Sequence, residues 1–202
     1  MNAPPFRFFN ASELFNLVDG ELTLVEPDGK YIDELMAACH HPQTLEQMPS
    51  QSHNTRDNFE TLIKFHPRGH FREDVAKNIV PAYLFWMRLR DDYPCDVRMA
   101  GTIGLRLAST EYVEMYLGHI GYHVYPPARG RHYALRSCRL ILPIAKAHGY
   151  RQLWITCNPD NIASRKTCEE LGGVLVNTVA LPEDNPLYQQ GDREKVRYRI
   201  TL

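Results

Sequence analysis

The residues best suited to chemistry lie between Gly118 and Ala134. In order they read as a strand, a short basic loop and the start of a helix. A helix N-terminus presents about four backbone N–H groups without intrahelical partners and a partial positive charge. A loop that feeds directly into one can wrap a phosphate with backbone donors. Arg129 and Arg131 add full charges at the same place. The expected chemistry is binding of a phosphate or pyrophosphate. A solvated basic helix start is the simpler alternative.

The charge distribution singles out the same stretch. The 202 residues carry a formal net charge of −1. Between Glu114 and Asp160 there is no acidic residue, while Arg129, Arg131, Arg136, Arg139, Lys146 and Arg151 fall there. That window holds +6, which leaves −7 for the remainder. The middle of the chain can therefore welcome an anion. The near-neutral total argues against a dedicated nucleic-acid binder.

Turn signals and periodicity predict the elements that position this segment. Residues 21–26 alternate and end at Pro27, Asp28 and Gly29, so they read as a strand and turn. Residues 31–39 read as a short helix, and His41 to Asn54, with Pro42 and Pro49, as loop. Thr55 to Phe65 shows an apolar helical face (Phe59, Leu62, Ile63) with Thr55 as N-cap. Residues 82–90 and 97–107 alternate on either side of the turn Asp91 to Pro94 and predict an antiparallel hairpin. Gly118 to Tyr125 predicts a third strand, stopped by Pro126 and Pro127. Residues 131–148 form the longest predicted helix, with Gly149 at its stop and Pro143 expected to kink it. A buried strand over 153–157, a helix over 161–171 and strands over 174–180 and 195–201 complete the chain. The resulting fold class is mixed α/β, in one domain over residues 1–202.

Composition bounds the rest. With 44% hydrophobic and 23% charged residues the chain reads as globular. No run approaches the ~18–20 apolar residues of a membrane span. No basic-then-apolar leader is visible at the N-terminus. The five cysteines are odd in number and lack C-x-x-C spacing, which points to a reducing, cytoplasmic setting. His66 and His70 are four apart, but Pro67 and Gly69 break any helix between them. His119 and His123 share that spacing on a predicted strand. With no H-E-x-x-H motif, no metal cofactor is expected.

The segment Arg129-Gly130-Arg131-His132-Tyr133-Ala134 resembles motif A of the GNAT superfamily of acyl-CoA-dependent N-acyltransferases, Arg/Gln-x-x-Gly-x-Gly/Ala. The strand Leu153 to Cys157 and the following Asn158 to Ser164 resemble the family's fifth strand and fourth helix. Asn161 and Ser164 meet its Asn-x-x-Ala/Ser pattern, and Gly172 closes the helix. The Gly-Gly-Val ending is similar to a branch of bacterial acetyltransferases. The resemblance is specific over residues 97–202; upstream only the order of elements carries it. Two departures stand out. His132 occupies a position that is usually Gly, and Cys168 one that is often a Tyr acting as general acid.

The resemblance implies a central, mostly antiparallel, twisted sheet of about seven strands flanked by about four helices. It implies acetyl-CoA as cosubstrate and direct attack on the thioester by an amine in a ternary complex. Arg129, Gly130, Arg131, His132, Tyr133 and Ala134 would bind the pyrophosphate. Tyr122, His123 and Val124 would polarise the carbonyl and pair with the pantetheine, assisted by Asn161 and Ser164. His119 and Glu114, with Glu111 beside it, are the candidate bases. Cys168 is the candidate acid, or a packing residue. The acceptor pocket would draw on His40, His41, Met48, Tyr83, Trp86 and Arg88. The acceptor is a small-molecule or protein amine, with no nucleic-acid or membrane partner, and a homodimer is permitted. Two other readings stay open: a non-catalytic acyl-CoA sensor on the same fold, and an RNA- or phosphoprotein-binding domain.

Overall fold

The structure is a computed structural model that describes residues 6–74 and 79–202. The leader reading falls partly on residues 1–5, outside the described residues. Seven α-helices are found among the described residues: α1 (Ala11–Leu14), α2 (Ile32–Cys39), α3 (Pro42–Gln47), α4 (Arg56–Phe65), α5 (Tyr133–Ala147), α6 (Ile162–Glu170) and α7 (Pro186–Gln189). The strands are β1 (Val18–Asp19), β2 (Leu22–Val25), β3 (His70–Phe71), β4 (Ala82–Leu89), β5 (Met99–Arg106), β6 (Ile120–Val124), β7 (Gln152–Cys157), β8 (Val174–Ala180) and β9 (Glu194–Thr201). They form two antiparallel groups. One runs β1-β2-β4-β5-β6, with β3 also on β4; the other runs β7-β9-β8.

Successive strand residues point to opposite faces, and β4 shows what covers each. The Tyr83 hydroxyl lies 3.0 Å from His148 Nε2, just past the end of α5. Trp86 meets Phe59 of α4 edge-on, with ring centroids 6.2 Å apart. Tyr83, Phe85, Trp86, Met87 and Leu89 are all buried. The predicted hairpin is present as β4 and β5, with a bulge at Met87 and Arg88.

Two polar clamps fix helices to this sheet. Arg88 grips Glu34 of α2 through two bonds of 2.8 Å. Arg136 of α5 donates to Glu21 at 2.7 Å and to Asp19 at 2.7 Å. Tyr133 adds a hydroxyl bond of 2.9 Å to Glu21. The hydrogen bond from Arg136 holds the Glu21 carboxyl down at about 2. Arg136, part of the +6 window, is thus neutralised inside the fold.

Residues 41–54 differ from the loop expected. Pro42 begins α3 and Pro49 a 3₁₀ turn over Pro49–His53. A proline at the first helical position loses no hydrogen bond, and His41 caps α3 by accepting from Gln43 N. α5 continues through Pro143 for four further residues. A π-helical turn over Val113–Leu117, absent from the sequence reading, leads into β6.

β6 and β7 meet at one point and then part. His119 N donates to Trp154 O at 2.6 Å, and β6 and β7 belong to separate sheets beyond it. Gly118 turns the chain there with φ +70, and a Cβ on it would lie 2.9 Å from Thr156 N. Gly118→Ala is expected to cost about 2–3 kcal/mol from a strained left-handed residue and a backbone clash. Urea unfolding of the variant against the parent checks this.

Candidate active site

The parting of β6 and β7 opens a cleft of about 760 Å³. β6 and β7 form its walls, and the α5 N-terminus and α6 lie at its mouth. α4 has a capping box from Thr55 and Asn58, and α6 is capped by Asn161 accepting from Ser164 N. The α5 terminus, like those of α1 and α2, has no side-chain cap, and it is the one of the three that lines the cleft. Its first-turn amides therefore lack intrahelical partners beside the cleft. The loop before it curls through two left-handed residues, Gly130 at φ +80 and His132 at φ +56. His132 keeps the backbone shape that glycine adopts without strain. Its ring leans towards Glu170 of α6, 3.4 Å away. The clamps on Tyr133 and Arg136 hold this terminus in place.

Ten of the predicted residues line the cleft together: Tyr122, His123, Val124, Arg129, Gly130, His132, Tyr133, Ala134, Asn161 and Ser164. Arg129 donates to Val124 O at 3.1 Å and to Gln47 of α3 at 2.9 Å. The Tyr122 hydroxyl meets Ser164 Oγ at 2.9 Å, bridging β6 to α6. His123 is hydrogen-bonded to Thr102 Oγ1 at 3.1 Å through Nδ1, and its Nε2 has no partner. Burial, then the Arg129 charge, lowers its pKa to about 4.

Four predicted residues lie outside the cleft lining. Arg131 turns away to Cys95 Sγ at 3.3 Å and the Tyr93 ring. His119 is 1% exposed, and its Nδ1 accepts from Trp154 N at 3.0 Å. Burial, then Arg106, lowers its pKa to about 4. Among the described residues its Nε2 has no hydrogen-bond partner, and the ring does not line the cleft. Glu114 sits on the π turn and lines a separate hollow with Tyr150 and Arg151. Cys168 is 0% exposed on the inner side of α6, hydrogen-bonded to Cys157.

Cys157 does line the cleft. The hydrogen bond from Cys168 holds its thiol below the usual range, whereas the same bond and burial push Cys168 up. Sequence reading passed over Cys157 because a cysteine at a strand end has no motif. Lys195 arrives from β9 to line the same wall, held by Asn158 and Asp192 at 2.6 Å each. Of the expected acceptor residues only Met48 reaches the cleft. Tyr83 and Trp86 are core, Arg88 is committed to Glu34, His40 bonds Asn54 O, and His41 caps α3.

The family model of the acetyltransferase (GNAT) domain matches residues 21–174. The chain belongs to this family of acyltransferases. Its fold is similar to that of the microcin C7 self-immunity acetyltransferase MccE, solved with acetyl-CoA and AMP. Identity there is 15%, coverage 91% of this chain and 94% of that one, and the TM-score 0.65. It is also similar to RimL, the ribosomal L7/L12 α-N-protein acetyltransferase solved with coenzyme A. That match has 18% identity, 92% and 96% coverage and a TM-score of 0.62. An acetyltransferase from Salmonella typhimurium that modifies the N-terminal serine of ribosomal protein L7/L12 gives 20% identity, 91% and 96% coverage and a TM-score of 0.57. No curated protein sequence matches. Among the described residues no helix is long and apolar enough to cross a membrane.

His119 and His123 set an acid limit on stability. Both have folded pKa values near 4, below the ~6.5 of an unfolded imidazole. Their stability contribution is complete above pH 6.5 and falls as pH drops towards 4, because the unfolded chain takes up protons first. Each adds a slope of about 1.4 kcal/mol per pH unit in that window. Urea midpoints measured from pH 7 to pH 5 should fall accordingly. His123→Gln should flatten the decline.

Proposed function

We propose that the protein transfers an acetyl group from acetyl-CoA to a primary amine of a small molecule or protein, by direct attack in a ternary complex. The observation that carries this is the uncapped α5 terminus at the mouth of the cleft. Its free amides and the left-handed loop suit the pyrophosphate of the cosubstrate. Arg129 and Lys166, which line the same end, add positive charge. The pantetheine would run inward along β6, past Asn161 and Ser164. The relatives solved with acetyl-CoA or coenzyme A support the same cosubstrate.

Three tasks remain for the chain's own residues. The acceptor must arrive as a neutral amine, because an ammonium has no lone pair. Among the described residues the one carboxylate in the cleft lining is Glu170, which faces His132. Positive surroundings lower an amine's pKa, so water suffices to take the proton. As the amine nitrogen bonds to the thioester carbon, charge builds on the carbonyl oxygen. β6 amides serve as its donors. Collapse then breaks the carbon–sulfur bond. The Cys157 thiol, exposed to the cleft where Cys168 is not, gives the leaving sulfur its proton. Cys168 acts as a positioning residue that donates to Cys157. Water returns to Cys157 the proton released by the amine.

Calorimetric titration with acetyl-CoA should be saturable. Arg129→Ala should weaken binding about tenfold, the loss of one charge-assisted contact. Arg151→Ala, outside the loop, should change it less than twofold. Equal effects would refute the loop assignment. Cys157→Ala should lower kcat about 10²-fold with acetyl-CoA affinity kept within twofold, read by thiol detection of released CoA. Tight binding without CoA release from any amine would favour the sensor reading instead.

A further inference from the structure

We propose that the acceptor amine itself carries an oxyanion, a carboxylate or a phosphate, and that Arg106 at the inner end of the cleft binds it. This rests on the acetyltransferase reading above and deepens it.

Arg106 ends β5 and lines the cleft. Its Nη1 donates to Gly118 O at 3.1 Å and to Leu117 O at 3.4 Å. Its Nε and Nη2 have no partner, and no carboxylate pairs with it, among the described residues. Arg88 is paired with Glu34, Arg136 with Glu21 and Asp19, and Arg68 with Glu26. Arg98 and Arg197 also bond carbonyls without a carboxylate among the described residues, but of these arginines only Arg106 lines the cleft. Two carbonyls satisfy donors but do not balance a half-buried positive charge, which is costly to leave without a counter-ion. Burial accordingly pushes the Arg106 pKa down. An anionic substrate group would supply the missing charge, and a guanidinium fork suits carboxylate and phosphate equally.

The sheet makes room for this. Gly104 and Gly121 are cross-strand partners, so neither strand puts a side chain on that face at this pair. A Cβ on Gly121 would lie 3.2 Å from Arg106 Nη1. The guanidinium thus lies over bare backbone. Gly121 is there for this close approach, since its φ is not in the left-handed range.

Distance separates this cation from the pyrophosphate loop. Arg106 N bonds His119 O, and β6 runs on to Val124 before the loop begins. At ~3.4 Å per residue that is about 17 Å along the strand. The nearby His119 adds no charge at neutral pH, with its pKa near 4. Arg106 is therefore set apart from the pyrophosphate loop, at the end of the cleft assigned to the acceptor.

The test compares matched amines by CoA release with saturating acetyl-CoA: alanine against alaninamide, phosphoethanolamine against ethanolamine, and a peptide beginning Ala-Asp against one beginning Ala-Asn. The anionic member of at least one pair should have a kcat/KM at least tenfold higher. Which pair responds separates carboxylate from phosphate. Arg106→Gln should shrink that preference below threefold through KM, and Arg106→Lys should retain part of it. Calorimetry with acetyl-CoA verifies that each variant is folded. Turnover without preference in any pair, or equal losses for both members in Arg106→Gln, overturns the proposal and leaves acetyl transfer standing. Absence of CoA release across the panel overturns it too. Absence of acetyl-CoA binding as well overturns the acetyltransferase reading itself.

Discussion

A single imidazole completes the junction from which β6 and β7 diverge, and the cleft opens beyond it. Where β6 and β7 meet, His119 N donates to Trp154 O in the ordinary way. The return bond is not to a main-chain carbonyl. Trp154 N donates instead to the His119 ring. A backbone amide buried without a partner costs a few kcal/mol, so the ring stabilises a junction that the main chain alone leaves incomplete. Past it the strands are free to diverge. Thr156 then bonds Tyr116 O of the π turn at 2.7 Å, which ties the diverging wall to the chain leading into β6.

The remaining architecture holds charged groups at fixed places around that opening. Glu21 gathers Tyr133 and Arg136, and so sets where the α5 terminus points. Arg106 and Arg129, which line the opening, have no carboxylate partner among the described residues. Electrostatic preorganisation of this kind needs no rearrangement as charge develops in a reaction.

Much of this was legible in the chain. Strand alternation gave β2, β4 and β5 with bounds close to those observed, and the basic loop marked the α5 terminus. Motif spacing brought Tyr122, Asn161 and Ser164 to one place. Side-chain direction was not legible. His119 lies next to the cleft in sequence, but its ring is spent on Trp154 N, and no pattern in the residues announces that. Cys157 lines the cleft and Cys168 does not, because a helix buries its inner face while a strand end opens to the cleft. Arg106 had a weak signal, a strand arginine two residues after Gly104, which gains meaning only when Gly121 is seen opposite. The short α3 was hidden because two prolines read as loop when they in fact begin turns.

One feature of the second sheet bears on how the molecule unfolds. β8 pairs only with β9, and six of its seven residues are exposed. The stretch matched by the family model stops at Val174, where this strand begins. β9, by contrast, is paired on both sides and largely buried. Stability in a folded domain is distributed unevenly, and elements with few buried contacts open at free energies far below the global value. β8, held by its ladder to β9 but burying little side-chain surface, is therefore an edge expected to open before the core strands. It can detach and return while β7 and β9 keep the cleft wall intact, so thermal fluctuation of the molecule's outer edge is insulated from its catalytic interior.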